Sequence, residues 1–115
     1  MSQLSNMKCE ACSINAHRLS ADEIDSLMPD VQGWELIVDH DIKKLKRVFY
    51  TDNFIESMSF TNAIAELAEE VNHHPQIIVE YSSVTIVWWT HKIKGLHKND
   101  FIMAYRSAVL FEKGF

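Results

Sequence analysis

The segment His73-His74-Pro75 limits the fold of this chain more than any other feature, because it must end a long helical pattern. Apolar side chains recur at helical spacing from about residue 53 onward. Pro75 has no backbone N–H and restricts the preceding residue to extended angles. We therefore predict a helix over residues 53–73, with His73 as its last residue and His74 already extended. The two imidazoles then leave the backbone in different directions.

Short runs of alternating apolar and polar residues precede and follow this helix, and each pair of runs is separated by turn-forming residues. The predicted strands, which form two hairpins, cover residues 34–38, 42–50, 77–81 and 84–91. A short helix precedes the first hairpin, and a longer one follows the second to about residue 112. The order α-β-β-α-β-β-α predicts the α+β class, with helices covering one face of a four-stranded antiparallel sheet.

Residues that cap helices stand at the predicted helix starts. A capping box places an acceptor side chain at the cap and a carboxylate three residues later. The predicted caps are Ser20 with Glu23, Thr51 or Asp52, and His97 with Asp100. Gly114 is expected to end the last helix.

Length and composition point to one soluble globular domain. The chain has 115 residues, of which 47% are hydrophobic and 23% charged, and its net charge is −5. Neither a membrane-spanning run nor a signal peptide is apparent, so we expect a cytoplasmic protein without a membrane partner. The acidic balance argues against nucleic-acid binding. A basic cluster is interpreted as a solvated face or edge of the sheet, and it consists of Lys43, Lys44, Lys46 and Arg47.

The first part of the chain shows no sustained periodicity, so residues 1–18 are predicted to be a mobile extension and residues 19–115 a single domain. Cys9 and Cys12 form a CxxC pattern in this extension. A zinc site would require two more ligands, with His17 as the nearby candidate. A thioredoxin-like motif would follow a strand and open a helix, and neither pattern is present there.

Three histidines are the candidate catalytic residues, since imidazole can both donate and accept a proton near neutral pH. His73 is expected at a helix C-terminus one turn after Glu69, an arrangement that suits a general acid. His91 follows two tryptophans and suits a general base. Asp100 is expected either to orient one of these rings or to cap the last helix.

A metal site is the alternative to a proton-transfer site at these three histidines. His17, His40 and His97 are interpreted as surface residues. Adjacent histidines lack the i, i+4 spacing that places two ligands on one helical face, and no carboxylate or thiolate completes a ligand set. We therefore expect no metal.

Each of the three tryptophans has two possible roles, in the core or at the site. Trp34 is predicted to lie in the core. Strand alternation places Trp88 and Trp89 on opposite faces, so at most one can form part of the histidine pocket. Trp89 shares its face with His91 and is the one expected there, where an aromatic wall would suit a planar heterocycle.

With these residues identified, the chain resembles the pterin-4a-carbinolamine dehydratases. The resemblance covers roughly residues 20–112. Its motif consists of Glu69, His73-His74-Pro75, Tyr81, Thr90-His91, Gly95-Leu96 and Asp100, preceded by Gly33-Trp34. Asn72 departs from the pattern, because many members carry an acidic residue there.

The resemblance implies a hydro-lyase that removes water from 4a-hydroxytetrahydropterin and gives quinonoid dihydropterin without a metal or redox cofactor. It implies His73, His74 and His91 as catalytic residues, and we hypothesise His73 as acid, His91 as base and His74 as the residue that holds the substrate. The substrate-binding residues implied are Glu69, His73, His74, Pro75, Thr90, His91, Lys92, Ile93 and Asp100.

The resemblance also implies an assembly and two rival functions. Members form homodimers by joining sheets edge to edge, and some pair again into homotetramers. Some animal relatives act as dimerisation cofactors of a transcription factor, so a protein-interaction module with little activity is the alternative. Pterin binding in another pathway, such as molybdopterin metabolism, is a third possibility.

Overall fold

The computed structural model describes residues 17–115, so the CxxC pattern and nearly all of the predicted extension lie outside the described residues. Its helices and strands are α1 Ala21–Leu27, β1 Glu35–Asp39, β2 Ile42–Tyr50, α2 Phe54–Val71, β3 Gln76–Glu80, β4 Ser83–Trp88 and α3 Lys98–Lys113. Short 3-10 turns cover Met28–Asp30 and His91–Ile93. The four strands pair antiparallel in the order β1-β2-β4-β3. The predicted α+β class and element order are confirmed.

The first hairpin has a tight two-residue turn. His40 and Asp41 both adopt positive φ, at 50° and 65°, and the flanking Asp39 and Ile42 pair directly across the turn. Polar residues such as Asp tolerate this left-handed region, and a turn of this kind matches the twist of two antiparallel strands. β1 therefore begins and ends one residue later than predicted, while the bounds of β2 are those predicted.

Capping confirms two predicted helix starts and corrects the third. Ser20 and Glu23 form the capping box of α1, and His97 and Asp100 form that of α3. Neither Thr51 nor Asp52 caps α2.

The cap of α2 is Asn53, whose Oδ1 accepts from the backbone N of Glu56 at 2.8 Å. The Thr51 hydroxyl is instead 2.6 Å from the Ser57 hydroxyl in a buried contact. This contact binds the approach to α2 to its first turns.

The helices pack on one face of the sheet around an aromatic centre. Phe49 of β2 lies between Phe60 of α2 and Phe111 of α3, with ring centroids 4.9 and 5.0 Å away. Trp34 is 5% exposed and contacts Phe49 edge-on, which confirms its place in the core. This packing fixes α2 and α3 relative to β4, and those three elements carry the candidate site.

The basic cluster of β2 is only partly as predicted. Lys43, Lys46 and Arg47 are half-buried, but Lys44 is 8% exposed. The prediction that Lys44 lies on a solvated face is therefore wrong. No helix among the described residues is both long and apolar enough to cross a membrane.

Candidate active site

Helix α2 ends two residues earlier than predicted, at Val71, and the left-handed residue Asn72 ends it rather than Pro75 alone. Asn72 has φ 54° and ψ 43°. The backbone N of His73 then bonds to the Ala68 carbonyl at 3.1 Å, and that of Asn72 to the Glu69 carbonyl at 3.3 Å. This is the Schellman pattern of helix ends. His73 is therefore not the last helical residue; it lies just beyond the helix and turns into the protein.

His73 is held by a buried carboxylate. Its Nε2 lies 2.7 Å from Asp100 Oδ1, and the two side chains are 3% and 0% exposed. Because a carboxylate accepts, Nε2 donates and its proton is fixed on that nitrogen. Asp100 Oδ2 accepts from the Thr90 hydroxyl at 2.8 Å and from the backbone N of His97 at 2.9 Å. Asp100 thus both orients a histidine and caps α3.

Trp88 supports the other side of His73. The two rings are stacked, with centroids 5.4 Å apart and an interplanar angle of 17°. Trp88 is fully buried, and its indole N–H donates to the Ser107 hydroxyl at 3.1 Å. The plane of the imidazole is therefore set by the core, while Asp100 sets its rotation.

His91 does not end a strand, which corrects the prediction. β4 ends at Trp88, and His91 begins the 3-10 turn His91–Ile93. Thr90 and Gly95 pair across this turn, with the Thr90 N–H donating to the Gly95 carbonyl at 2.9 Å. The His91 ring lies against Trp89, with centroids 4.4 Å apart.

Glu69 pairs with His74, not with His73 as predicted. The His74 Nε2 donates to Glu69 Oε2, and the two side chains are 55% and 76% exposed. The left-handed turn at Asn72 rotates the chain after α2, so that the residue five positions on, rather than four, faces Glu69. The predicted support of a cationic His73 by Glu69 is therefore wrong.

The three candidate histidines line one small open cleft at the end of the sheet. Its volume is about 160 Å³, and its lining residues are Asn72, His73, His74, His91 and Lys92. His73 enters from the helix-covered side with Trp88, and His91 from the side of Trp89. They meet because β4 ends at Trp88, so no strand separates them beyond that point.

The other predicted residues do not line the cleft. Thr90 and Asp100 are buried behind His73. Pro75 and Ile93 are half-buried, and the Ile93 carbonyl accepts from Arg18 at 3.4 Å. Tyr81 lies in the β3–β4 turn, at the opposite end of β4, and is exposed.

Trp88, the last residue of β4, and Trp89, just after it, each contact a different candidate histidine. Trp88 contacts His73 and Trp89 contacts His91, but the expectation that Trp89 forms part of the pocket is wrong. Neither ring lines the cleft itself.

Sequence reasoning assigned one site residue wrongly. His97, interpreted as a surface residue, is 5% exposed. The Nδ1 of His97 accepts from the backbone N of Asn99 at 3.0 Å. The backbone N–H of His97 is one of the donors to Asp100. The spacing to Asp100 predicted the capping box but not this burial, since the equivalent box of Ser20 and Glu23 is exposed.

Two further features bear on the kind of chemistry. Within residues 17–115, no three His, Cys, Asp or Glu side chains come together as metal ligands. A larger cleft of about 440 Å³ lies elsewhere, beside Trp34 and Arg47, but no histidine lines it. The histidine cleft is therefore the better candidate for proton transfer.

Comparisons with known proteins identify a family for this chain. A family profile described as Pterin 4 alpha carbinolamine dehydratase matches residues 17–109. A protein of Nitrosococcus oceani that bears the name of this family is 53% identical over 97% of this chain and 99% of its own. Similarly named proteins are 46% identical in Saccharophagus degradans, over 97% of this chain and 99% of the relative, and 49% identical in Marinobacter nauticus, over 96% and 100%.

Two solved structures share the fold. A protein described as a transcriptional coactivator/pterin dehydratase from Brucella melitensis has a TM-score of 0.75 and 24% identity, over 82% of this chain and 98% of that one. A pterin dehydratase-like protein identified as a RuBisCO assembly factor in the alpha-carboxysome has a TM-score of 0.58 and 22% identity, over 69% and 89%. The profile match and the near full-length relatives establish that this chain belongs to the pterin 4 alpha carbinolamine dehydratase family.

Proposed function

We propose that this protein removes water from a 4a-hydroxytetrahydropterin to give the quinonoid dihydropterin. The observation that carries the proposal is the convergence of His73, His74 and His91 on one cleft, with His73 fixed by a buried carboxylate. Family membership supplies the substrate class.

The reaction needs two proton transfers and no change of redox state. The N5 proton leaves, the C4a–O bond breaks, and the departing hydroxide takes up a proton to become water. A base and an acid on either side of the pterin ring suffice, and histidine serves as both near neutral pH. Two imidazoles facing one cleft provide that pair.

The proposed roles follow from the surroundings of each ring. His91 acts as the base at N5, since neither of its ring nitrogens is hydrogen-bonded to any of the described residues. His73 acts as the acid toward the C4a hydroxyl through a proton on Nδ1, because its Nε2 proton is held by Asp100 and Trp88 keeps the ring in one orientation. His74 is exposed beside Glu69 and contributes substrate binding.

Turnover of a chemically prepared pterin carbinolamine tests the activity. Wild type is expected to accelerate dehydration above the spontaneous rate, and the His73→Ala, His74→Ala double variant to lose most of this acceleration. His17→Ala is the matched control, because His17 is exposed, contacts Glu23 and lies outside the cleft. Equal rates in wild type and the double variant, with both proteins folded, would rule out the proposed site.

The assignment of acid and base has its own test. The pH dependence of kcat/KM is expected to show two limbs in wild type. His91→Ala should lose the acidic limb, which reports protonation of the base, and His73→Ala the basic limb, which reports loss of the acid's proton. Retention of both limbs in both variants would overturn the assignment.

A second candidate function is that of a protein-interaction module. The fold is shared with proteins described as a transcriptional coactivator and as a RuBisCO assembly factor, at 24% and 22% identity. The complete set of histidines at the cleft favours the enzyme. Carbinolamine turnover separates the two, because a module of this kind does not require His73 or His91.

We also propose that the chain forms a homodimer through a sheet edge. β1 and β3 are the outer strands, and each presents one row of unpaired backbone groups. Light scattering coupled to size exclusion should give twice the monomer mass of 13.3 kDa, or four times that mass for a tetramer. A mass of one chain at micromolar concentration would contradict the proposal.

A further inference from the structure

Lys44 is buried in a contact that its neighbours on β2 do not share. Its Nζ lies 3.9 Å from the centre of the Trp89 ring and 2.9 Å from Asp39 Oδ2. The side chain is 10% exposed, against 49% for Asp39. A lysine in this position is held by a carboxylate on one side and an aromatic ring on another.

The Asp39 carboxyl responds to this contact. The hydrogen bond from the Lys44 ammonium is the largest cause that lowers the pKa of Asp39 below its ordinary value. Asp39 is paired with Ile42 at the end of the first hairpin, so the carboxylate is supplied by a fixed backbone position. Lys44 is thereby anchored at its charged end as well as along its strand.

The contact continues to the catalytic cleft. The Trp89 ring that faces Lys44 also lies against His91, with centroids 4.4 Å apart and an interplanar angle of 38°. By alternation along β2, Lys44 lies on the opposite face from the core residue Leu45. Lys44 and Trp89 therefore approach His91 from the side of the sheet opposite to Trp88 and His73.

Little else positions the His91 ring. The residue is exposed, it begins a short 3-10 turn, and its ring makes no hydrogen bond with any of the described residues. His73, in contrast, has both a carboxylate and a stacked tryptophan. The His91 ring thus contacts the Trp89 ring, which packs against the core on one side and lies under the Lys44 ammonium.

We propose that Lys44 is a positioning residue for His91, acting through the cation–π contact with Trp89. The inference rests on the proposed role of His91 as the base. A misplaced base slows the proton transfer, whereas binding by His73, His74 and Lys92 is untouched. Loss of the Lys44 charge should therefore lower kcat and leave KM nearly unchanged.

The kinetic test compares three variants with wild type. Lys44→Met keeps the length of the side chain without its charge and should lower kcat about three- to thirtyfold. Lys44→Arg restores a cation over the ring and should recover most of that loss. Lys46→Met, on the same face of β2 but without an aromatic contact among residues 17–115, is the matched control and should retain the wild-type kcat.

A spectroscopic test reports the position of His91 without turnover. The ring 1H–13C resonances of His91, assigned with a His91→Gln variant, should shift in Lys44→Met and return toward wild type in Lys44→Arg. Asp39→Asn, a change in the exposed hairpin, should shift them in the same direction. If Lys44→Met does not fold, Asp39→Asn is the variant that tests the proposal.

The outcomes separate this inference from the proposed function. Unshifted His91 resonances in the folded Lys44 and Asp39 variants, or a kcat of Lys44→Met equal to that of Lys46→Met, would overturn the positioning role. If wild type itself showed no dehydration, the proposed function would fail, whereas the resonances would still decide whether Lys44 positions His91.

Discussion

Asp100 and His73 form a pair that is almost completely removed from solvent, with 2.7 Å between Oδ1 and Nε2. A buried carboxylate is costly unless its oxygens are satisfied, and here the donors come from three separate parts of the chain. They are the imidazole after α2, the hydroxyl of Thr90 after β4 and the backbone N–H of His97 before α3. One side chain thus joins the elements that meet at the cleft.

Asp100→Asn is expected to weaken both stability and activity. An amide has one acceptor oxygen in place of two, so its NH2 group must face at least one buried donor. The free energy of unfolding should fall by about 1–3 kcal/mol. We expect kcat to fall by about 10- to 100-fold because the His73 ring loses its fixed orientation.

Urea denaturation and carbinolamine turnover measure these two effects of Asp100→Asn. Glu69→Gln provides the comparison, since it alters a carboxylate on a histidine that is exposed rather than buried. If the two variants lost equal stability and activity, burial of the Asp100 pair would not be important.

The exposed pair of His74 and Glu69 is expected to matter for binding and not for stability. Surface ion pairs contribute little because solvent screens them, so either His74→Ala or Glu69→Gln should change the free energy of unfolding by less than about 0.5 kcal/mol. His74→Ala should raise KM about two- to tenfold through the loss of one hydrogen bond to substrate. Steady-state kinetics measures this, and a fall in kcat at constant KM would contradict a binding role.

Asn72 is expected to act through its backbone conformation. Its φ of 54° is strained for most side chains but easy for glycine. Asn72→Ala should therefore lower the free energy of unfolding by about 1 kcal/mol, and Asn72→Gly should stay within about 0.5 kcal/mol of wild type. Urea denaturation of the two variants side by side tests this. Equal losses would show that the amide side chain, and not φ, is what the position requires.

Features set by neighbouring residues could be predicted from the sequence. The capping box of Ser20 and Glu23 and the end of α3 at Gly114 depend on contacts within one turn of helix. The end of β2 and the turn before it likewise follow local patterns. Residues 73 and 74 could be placed at the end of α2 because Pro75 limits how far the helix can run.

Features set by contacts between distant residues could not be predicted from the sequence. Thr51, Asp52 and Asn53 are all capable caps, and the buried contact of Thr51 with Ser57 leaves Asn53 as the one that caps α2. Alternation continues past Trp88, so nothing local reveals that the strand stops there. The local sequence around Lys44 predicts a surface residue. Its burial involves Trp89, which is 45 positions away and is brought to it by the pairing of β2 with β4.

Glu23 is expected to make the stability of the N-terminal helix depend on pH. Its carboxylate accepts from the Ser20 backbone N–H at 2.9 Å and from His17 Nε2 at 2.9 Å. These bonds, led by that from the Ser20 backbone, lower its pKa from 4.5 to about 2. The folded chain therefore binds fewer protons here than the unfolded chain, so the stabilisation is complete above pH 4.5 and is lost as pH falls toward 2.

Glu23→Gln tests this dependence, because glutamine has the same shape but does not titrate. Urea midpoints of wild type and variant should differ at neutral pH, with wild type the more stable, and the difference should shrink as the pH falls from 4.5 toward 2. Asp25→Asn is the matched control in the same helix, since the Asp25 carboxylate makes no hydrogen bond with the described residues. If the difference for Glu23→Gln followed that for Asp25→Asn at every pH, general charge and not the capping box would be responsible.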